Sequence, residues 1–353
     1  MKKIIIINQL QFGYEVDTYY YSKYLRNNFN VTYICWDYDK KKIKMQGVNA
    51  KYISRNGNIV ARNIRFIKKV SDVIRNNNYH VHIIEYFRGC SILKLLYPSK
   101  KFIFDVRTGS VSQKTINRAL FDSTMKFESK FFKRCTVISE TLRDRLNISQ
   151  RKTYILPLGA DVISKRKKEY KSLKLLYIGT LHNRNMEQTI IGFEKFYLQL
   201  KNKVEMTYTI IGEGYHNEVD KLRELVKKKH LVNIVKIAGY IQHDDAKKYF
   251  DTHNIGVSFI PKTDFFDVQP PTKTFEYLLS GMPVIATGTL ENKKVINTDN
   301  GVLINDNSES FYNGLKKIYA RLSDYDSDQI RMNSKKYEWE KIIDKFKNFI
   351  EII

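Results

Sequence analysis

The sequence is poor in the residues that build disulfide frameworks and metal centres. Three cysteines occur in 353 residues, at positions 35, 90 and 135, with no CxxC pair. An odd number of widely separated cysteines argues against a disulfide scaffold and favours a reducing compartment. The histidines show no ligand spacing with nearby carboxylates, and the pair His80 and His82 lacks an evident third ligand. We therefore predict no metal site.

Long apolar runs are also missing. No window approaches the ~18 consecutive apolar residues of a membrane-spanning helix. The four isoleucines at residues 4–7 follow two lysines, but the run is shorter than the apolar region of a signal peptide. They predict a first buried strand. We expect a soluble, cytoplasmic protein, or one bound peripherally to the inner face of the cell membrane.

Acidic residues are scarce in the first half of the chain. Residues 1–160 contain 30 lysines and arginines against 11 acidic residues, and the whole chain carries a net charge of +24. Such asymmetry is typical of proteins that bind nucleic acid, an anionic membrane or a polyanionic substrate. A genome-wide bias towards Lys, Asn, Ile and Tyr codons would raise the total without any function. No RNP, zinc-finger or helix-turn-helix signature accompanies the charge, so no nucleic acid partner is expected.

Short apolar runs alternate with helical patterns along the chain, which predicts an α/β protein. We place an N-terminal domain at residues 1–163, a charged linker at residues 164–171 and a second domain at residues 172–331. A long aromatic helix at residues 332–353 is expected to return to the N-terminal domain. Glycines follow the predicted strands in both domains. This pattern predicts two doubly wound, Rossmann-like domains that face one another across a cleft, with ligands beyond the carboxyl ends of the strands.

Residues 270–287, with the sequence PPTKTFEYLLSGMPVIAT, predict a loop, a helix, a tight turn and a strand. Thr272 or Thr274 is a candidate cap for the helix, and Gly281 is expected to end it. A helix N-terminus attracts anions, and Lys273 adds a full positive charge there. Glu276, one turn later, can accept hydrogen bonds from sugar hydroxyls. The alternative interpretation is an ordinary helix with a surface glutamate.

Several segments, in this order, resemble glycosyltransferase family 4, the retaining group-1 glycosyl transferases of the GT-B fold. In the second half these are LLYIGTLHNRNMEQTI (residues 175–190), TIIGEGY (209–215), IAGYI (237–241), NIGVSFIP (254–261) and PPTKTFEYLLSGMPVIAT (270–287). FDVRTGSVS (104–112), TVISETLRDRL (136–146) and LPLGAD (156–161) support the resemblance in the first half. Each segment is a weak signal alone, and the ordered set is a strong one.

The resemblance implies roles for individual residues of the second domain. Glu276 matches the glutamate that holds the donor ribose, and Arg184 resembles one of two cations that balance the leaving phosphates. The second cation of the family usually follows Gly179, where this chain has Thr180. The helix start that receives the diphosphate corresponds to Thr272, Lys273 and Thr274. Positions beside the nucleobase correspond to Gly212, Gly214, Tyr240 and Ile241.

The chain departs from the family at two places. An earlier glutamate that often accompanies Glu276 is replaced by Val268. Where many members have a histidine facing the donor sugar, the N-terminal domain has Asp105 and Arg107. Asp105 is a candidate to accept the acceptor's proton, and Arg107 to bind an acceptor phosphate or carboxylate. An ion pair between the two that braces the loop is an equal alternative. Gly13, in the first turn, would let the backbone approach the donor or the acceptor.

The resemblance thus implies a retaining, metal-independent glycosyltransferase without a cofactor. Lys273, Arg184 and the helix amides would stabilise the leaving diphosphate. We expect transfer from a nucleotide-sugar, with UDP the first choice, to a glycan or lipid-linked acceptor in surface polysaccharide synthesis. Two basic amphipathic helices predicted in the first half, at residues 59–75 and 113–134, are expected to contact anionic lipid. Two alternatives are a nucleotide-sugar epimerase or phosphorylase on the same fold, and a basic nucleic-acid-binding protein.

Overall fold

The computed structural model describes residues 1–112, 114–242 and 245–353. The chain folds into two compact units. The first comprises Met1–Leu158 and Trp339–Ile353, and the second comprises Gly159–Glu338. The segment predicted as a linker therefore belongs to the second unit. There, Lys168 is buried and its ammonium donates to the carbonyl oxygen of Phe250. No helix in the described part of the chain is long and apolar enough to cross a membrane.

The first unit contains a seven-stranded parallel sheet. Its strands are β1 (Lys3–Ile7), β2 (Asn30–Asp37), β3 (Val48–Ser54), β4 (Val81–Glu85), β5 (Phe102–Val106), β6 (Cys135–Val137) and β7 (Thr153–Ile155). The intervening helices are α1 (Val16–Leu25), α2 (Ile59–Arg75), α3 (Ser91–Leu96), α4 (Thr115–Ser129) and α5 (Glu140–Arg145). The four isoleucines of β1 have no exposed surface, as expected for a strand covered on both faces.

The strand order of this sheet is β3-β2-β1-β4-β5-β6-β7. Strand β1 pairs with β2 on one side and with β4 on the other. The connections on either side of β1 therefore run in opposite directions, which opens a crevice at the carboxyl ends of β1 and β4. Ligands of doubly wound sheets bind in such crevices.

Strand β3 was not predicted. Its sequence, VNAKYIS, has no continuous apolar run, and its burial alternates because it forms the edge of the sheet. The helix predicted over residues 113–134 is α4, which ends at Ser129. Gln113, the predicted start of this helix, lies outside the described residues, as do His243 and Asp244.

The second unit contains a six-stranded parallel sheet. Its strands are β8 (Leu173–Ile178), β9 (Met206–Ile211), β10 (Val235–Gly239), β11 (Ile255–Ser258), β12 (Val284–Thr287) and β13 (Gly301–Ile304). The helices are α6 (Glu187–Leu200), α7 (Glu218–Lys228), α8 (Ala246–Thr252), α9 (Thr272–Leu279), α10 (Leu290–Lys293), α11 (Ser308–Ala320) and α12 (Ser327–Ser334). The strand order is β10-β9-β8-β11-β12-β13, so the crevice lies between β8 and β11.

The final helix is shorter than predicted. Residues 332–353 do not form one helix, because α12 ends at Ser334 and α13 (Trp339–Ile352) begins after a short 3₁₀ turn. Helix α13 belongs to the first unit, which confirms that the C-terminal helix returns to the N-terminal domain. The buried ring of Trp339 stacks on Tyr20 with 5.3 Å between ring centres. The apolar face of α13 is buried against the first unit, and this burial holds the end of the chain in place.

Candidate functional site

Helix α9 begins at the carboxyl edge of the second sheet without a side-chain cap. Pro271 occupies the N-cap position, so the prediction that Thr272 or Thr274 caps the helix is wrong. Thr272 is instead the first helical residue. Proline cannot supply a capping oxygen, and the first amides of a helix have no partner within it. Gly281 follows the helix with a φ of 73°, as predicted for the residue that ends it.

Two side chains hold α9 against the sheet. The hydroxyl of Tyr277 accepts a hydrogen bond of 3.0 Å from the backbone amide of Ile178. Thr274 is fully buried, and its hydroxyl contacts Ser258 at 2.8 Å and Asn292 at 3.0 Å. Thr274 therefore fixes the helix start that was predicted to receive the diphosphate, and its hydroxyl is engaged by Ser258 and Asn292 inside the protein.

The loops after β8, β9 and β10 meet beside this helix. The amide of Gly179 donates to Ile211 at 3.0 Å, and the amide of Gly212 donates to Gly239 at 2.9 Å. A β-carbon at Gly212 would lie 1.7 Å from the carbonyl oxygen of Gly179, so only glycine fits. These bonds place three glycine-containing loops at one edge of the sheet.

Lys273 extends from α9 towards this loop cluster. A β-carbon at Gly179 would lie 3.8 Å from Cε of Lys273 and 3.6 Å from the hydroxyl of Tyr177. The ammonium of Lys273 pairs with Glu276 at 3.0 Å. The Glu276 side chain is only 12% exposed, so its carboxylate is held near the lysine and the loops. One cation and one anion thus sit side by side at the start of the helix.

Arg184 supplies a second cation to the same loops. Its guanidinium lies 4.2 Å from the centre of the Phe266 ring, and burial lowers its pKa. No carboxylate lies within 4 Å of it among the described residues. The neighbouring Tyr177 donates its hydroxyl hydrogen to the carbonyl of Thr180 at 2.6 Å. A cation without a counter-ion is suited to an anionic ligand.

The remaining predicted positions surround these groups. Tyr240 is 68% exposed, and Ile241 is partly buried against the core. Gly214 packs against Glu218, which pairs with His182 at 2.9 Å. The hydrogen bond from His182 lowers the pKa of Glu218 to about 2. Sequence reasoning missed this pair, although both residues flank predicted glycines.

In the first unit the structure corrects the roles expected for Asp105 and Arg107. Arg107 is buried and donates to Asp17 at 2.8 Å and to the carbonyl of Leu156 at 2.6 Å. Its guanidinium therefore braces the sheet against α1 rather than facing an acceptor. The ion pair is with Asp17, so the alternative of a pair with Asp105 is also wrong.

Asp105 has no exposed surface and accepts a hydrogen bond of 2.6 Å from Thr136. Burial raises the pKa of its carboxyl to about 6. An acceptor hydroxyl has no path to a fully buried carboxylate in this conformation, so we assign Asp105 to the interior of the sheet. Gly13 lies in this unit too, with a φ of 88° and Ile43 packed over it.

A different carboxylate faces the crevice of this sheet. Glu85, at the end of β4, lines a cavity of about 760 Å³ and accepts a hydrogen bond of 2.6 Å from Asn8, which follows β1. Burial, with the charges of Glu15 and Asp105, raises the pKa of Glu85 well above its usual range. The sequence signal was the same for Glu85 and Asp105, an acid at a strand end. Strand order separates them, because β4 lies beside β1 at the crevice and β5 lies one strand further on.

Three Asp-x-Asp sequences, at residues 37–39, 324–326 and 326–328, could suggest a metal site. Lys42, Arg321 and Arg331 neutralise Asp37, Asp324 and Asp328, respectively. Among the described residues, no group of three or more histidines, cysteines or acids is arranged to hold a metal ion.

A sequence comparison and a structural comparison define the class of the protein. The family model described as Glycosyl transferases group 1 matches residues 172–321. The match covers the α9 stretch and the three glycine loops, and it confirms the resemblance to group-1 glycosyl transferases for the second half of the chain. The protein is an enzyme of the glycosyltransferase class, with two Rossmann-like domains of the GT-B fold.

Solved structures resemble the chain over its full length. The Anabaena protein HepE, in complex with UDP-glucose, matches with a TM-score of 0.78 and 13% identity over 100% of both chains. Sucrose-phosphate synthase from Thermosynechococcus elongatus matches with a TM-score of 0.76 and 15% identity over 99% of this chain and 98% of that one. The lipopolysaccharide outer core galactosyltransferase WaaB matches with a TM-score of 0.71 and 13% identity over 99% of both. No curated protein matches in sequence.

Proposed function

We propose that the protein transfers a sugar from a nucleotide-sugar, with retention of configuration and without a metal ion, to a glycan or lipid-linked acceptor. The observation that carries this proposal is the grouping of Lys273, Arg184 and the uncapped start of α9 beside three glycine loops. Cations and backbone amides stabilise the charge that develops on a leaving diphosphate. They can take the part that Mg²⁺ plays in other phosphoryl sites.

Each residue at the α9 start has a distinct proposed role. Lys273 and Arg184 balance the two phosphates, the amides of Thr272 and Lys273 donate to phosphate oxygens, and Glu276 accepts hydrogen bonds from the ribose. Gly179, Gly212 and Gly214 let the backbone approach the nucleotide, with Tyr240 and Ile241 beside the base. The structures of HepE with UDP and UDP-glucose favour UDP as the first nucleotide to test.

Transfer is tested by incubating the protein with UDP-glucose and a panel of glycan acceptors, with and without EDTA. The proposal predicts UDP release that depends on acceptor and persists in EDTA, and an α-linked product by NMR. A β-linked product would refute retention, and loss of activity in EDTA would refute metal independence. Detection of an epimerised donor alone, with no transfer to any acceptor, would favour the epimerase.

We propose further that the first unit binds the cytoplasmic face of an anionic membrane. Ile59 and Ile64 on α2 are 61% and 63% exposed, and Leu120 on α4 is 58% exposed. Ile59 and Leu120 both line the cavity that contains Glu85. Exposed lysines, among them Lys68 and Lys69, lie on α2 as well. Apolar insertion and basic attraction together suit a lipid surface, with about 1 kcal/mol from each cation near it.

Vesicle flotation tests the membrane proposal. We expect recovery with vesicles of phosphatidylcholine and phosphatidylglycerol at low salt, and loss of recovery with phosphatidylcholine alone. The double variant Ile59→Gln/Leu120→Gln should reduce binding, whereas Leu198→Gln, an equally exposed leucine in the second unit, should not. Equal recovery with neutral and anionic vesicles would contradict the proposal.

A further inference from the structure

The cavity at the carboxyl edge of the first sheet contains two arginines without counter-ions. Arg62 reaches it from α2, and Arg88 from the loop after β4. No carboxylate lies within 4 Å of either guanidinium in the described ranges. Asp37, the last residue of β2, pairs instead with Lys42 at 3.0 Å. Two positive charges therefore line one cavity uncompensated.

Aromatic rings hold these guanidinium groups. The guanidinium carbon of Arg62 lies 5.3 Å from the centre of the Trp36 ring, and that of Arg88 lies 5.4 Å from the centre of the Phe121 ring. Stacking of this kind restricts an arginine without using its N–H donors. The same rings offer flat apolar surfaces on which the C–H face of a sugar can pack.

Two buried N–H donors beside the cavity have no acceptor. Nε of Arg62 and Nε1 of Trp36 find no hydrogen-bond partner in the part of the chain that the structure describes. Native proteins leave few buried donors unpaired, and an orphaned one needs an explanation. Both residues line the cavity, and although neither nitrogen has accessible surface in this conformation, rotation of either side chain would turn its donor towards a ligand oxygen.

The opposite side of the cavity is polar without a strong opposing charge. Asn8 and Glu85 are joined by a hydrogen bond of 2.6 Å where β1 and β4 end. Burial raises the pKa of Glu85 well above its usual range, which favours the neutral acid and removes repulsion of an anion. Glu85 and Asn8 can then exchange hydrogen bonds with hydroxyl groups.

We infer that this cavity binds the acceptor as a phosphorylated sugar, with its hydroxyls at Asn8 and Glu85 and its phosphate at Arg62 and Arg88. This inference rests on the proposed function, because it names the chemical class of the acceptor. The volume of about 760 Å³ suits a small glycan. Free and lipid-linked phosphosugars share this chemistry.

The test is a titration of tryptophan fluorescence with glucose 6-phosphate, glucose and glucuronate. Trp36 lines the cavity, and the only other tryptophan, Trp339, is buried under α1. Saturating UDP is present throughout to occupy the anion site of the second unit. We expect glucose 6-phosphate to alter the fluorescence at lower concentration than either analogue, and Trp36→Phe to abolish the change. Tighter binding of glucuronate would refute the assignment of a phosphate.

Substitutions test whether Arg62 and Arg88 bind the phosphate. Arg62→Gln and Arg88→Gln should each weaken glucose 6-phosphate binding about tenfold or more, as expected for loss of a charge-assisted hydrogen bond. Lys345→Gln removes the same charge from the exposed side of α13 in the same unit and should leave binding unchanged. Arg62→Lys keeps the positive charge but not the planar group with several N–H donors, so it should bind glucose 6-phosphate with an intermediate affinity. Such intermediate binding would show that the loss in Arg62→Gln is not caused by misfolding. Equal binding by Arg62→Gln, Arg88→Gln and the unaltered protein would overturn the inference.

The outcomes separate this inference from the proposed function. Arginine-dependent binding in a protein that neither binds nor uses nucleotide-sugars would leave the anion site standing and refute the glycosyl transfer that we propose. Transfer activity, together with glucose 6-phosphate binding that does not depend on Arg62 or Arg88, would support the glycosyl transfer and refute the anion site. A second pair of probes, a vesicle that contains a polyprenyl glucosyl phosphate and the same vesicle without it, distinguishes a lipid-linked source from a free one. Retention that requires both the phosphate lipid and Arg62 would identify the lipid-linked source.

Discussion

The substitution Asp105→Asn tests the assignment of Asp105 to the interior of the first unit. The carboxyl has no exposed surface, and one of its oxygens has no hydrogen-bond partner among the described residues. Asparagine has the same shape, and its amide oxygen can still accept the hydrogen bond from Thr136. The substitution removes only the charge that the sheet interior opposes.

The magnitude follows from the pKa of Asp105, which burial raises from 3.8 to about 6. Because the folded state holds the proton more tightly, stability falls as the pH rises from about 4 to about 6 and is constant above that range. A rise of this size corresponds to about 3 kcal/mol. The Asp105→Asn variant has no carboxyl to ionise, so its stability does not fall over this pH range. Above pH 6 the variant should therefore be more stable than the unaltered protein by up to about 3 kcal/mol.

Thermal unfolding monitored by tryptophan fluorescence reports on the first unit alone, because Trp36 and Trp339 both belong to it. For a unit of this size the gain corresponds to a Tm rise of roughly 6–12 °C at pH 8 and little at pH 4. Asp344→Asn, on the exposed side of α13, is the control and should change Tm little at either pH. A variant that is less stable at pH 8, by an amount that does not depend on pH, would refute the reasoning.

Two further substitutions test the packing inside each unit, Gly212→Ala in the second and Arg107→Met in the first. Gly212→Ala should lower the stability of the second unit and abolish UDP binding, because the new β-carbon would lie 1.7 Å from the carbonyl oxygen of Gly179. Gly288→Ala, with no neighbour nearer than 3.5 Å, is its control, and a dye-based thermal shift with UDP measures both. Arg107→Met should destabilise the first unit by about 3 kcal/mol, because it leaves Asp17 buried without a partner. Urea unfolding followed by fluorescence measures this, and an unchanged midpoint would contradict the bracing role.

The sequence was most informative where local chemistry decides the structure. The amphipathic pattern of α2 and the glycine after α9 identified both elements, because periodicity and a left-handed turn are properties of a short segment. Strand β3 was missed because an edge strand needs no continuous apolar run. The end of α12 and start of α13 were missed because the apolar pattern continues through the turn between them.

Site residues were harder to predict where the order of the strands in the sheet decides which strand end borders the crevice. Asp105 and Glu85 are neighbours in the sheet and both follow apolar strands, yet only Glu85 lines the cavity. Arg107 was expected to bind an acceptor because nothing in the sequence shows that Asp17, ninety residues earlier, neutralises it. By contrast, Lys273 and Glu276 lie three residues apart on one helix, so their pairing could be read from spacing.

The central claim is that the start of α9 binds a nucleoside diphosphate, with Lys273 at the phosphates and Glu276 at the ribose. Calorimetric titration of Glu276→Gln with UDP and with inorganic pyrophosphate tests it most directly. Glu309→Gln, which disrupts the exposed ion pair with Lys195, is the matched control. We predict that Glu276→Gln weakens UDP binding at least tenfold, through lost charge-assisted hydrogen bonds, while pyrophosphate binds as well or better because Lys273 is released. Unchanged UDP binding, or an equal loss for both ligands, would contradict the account.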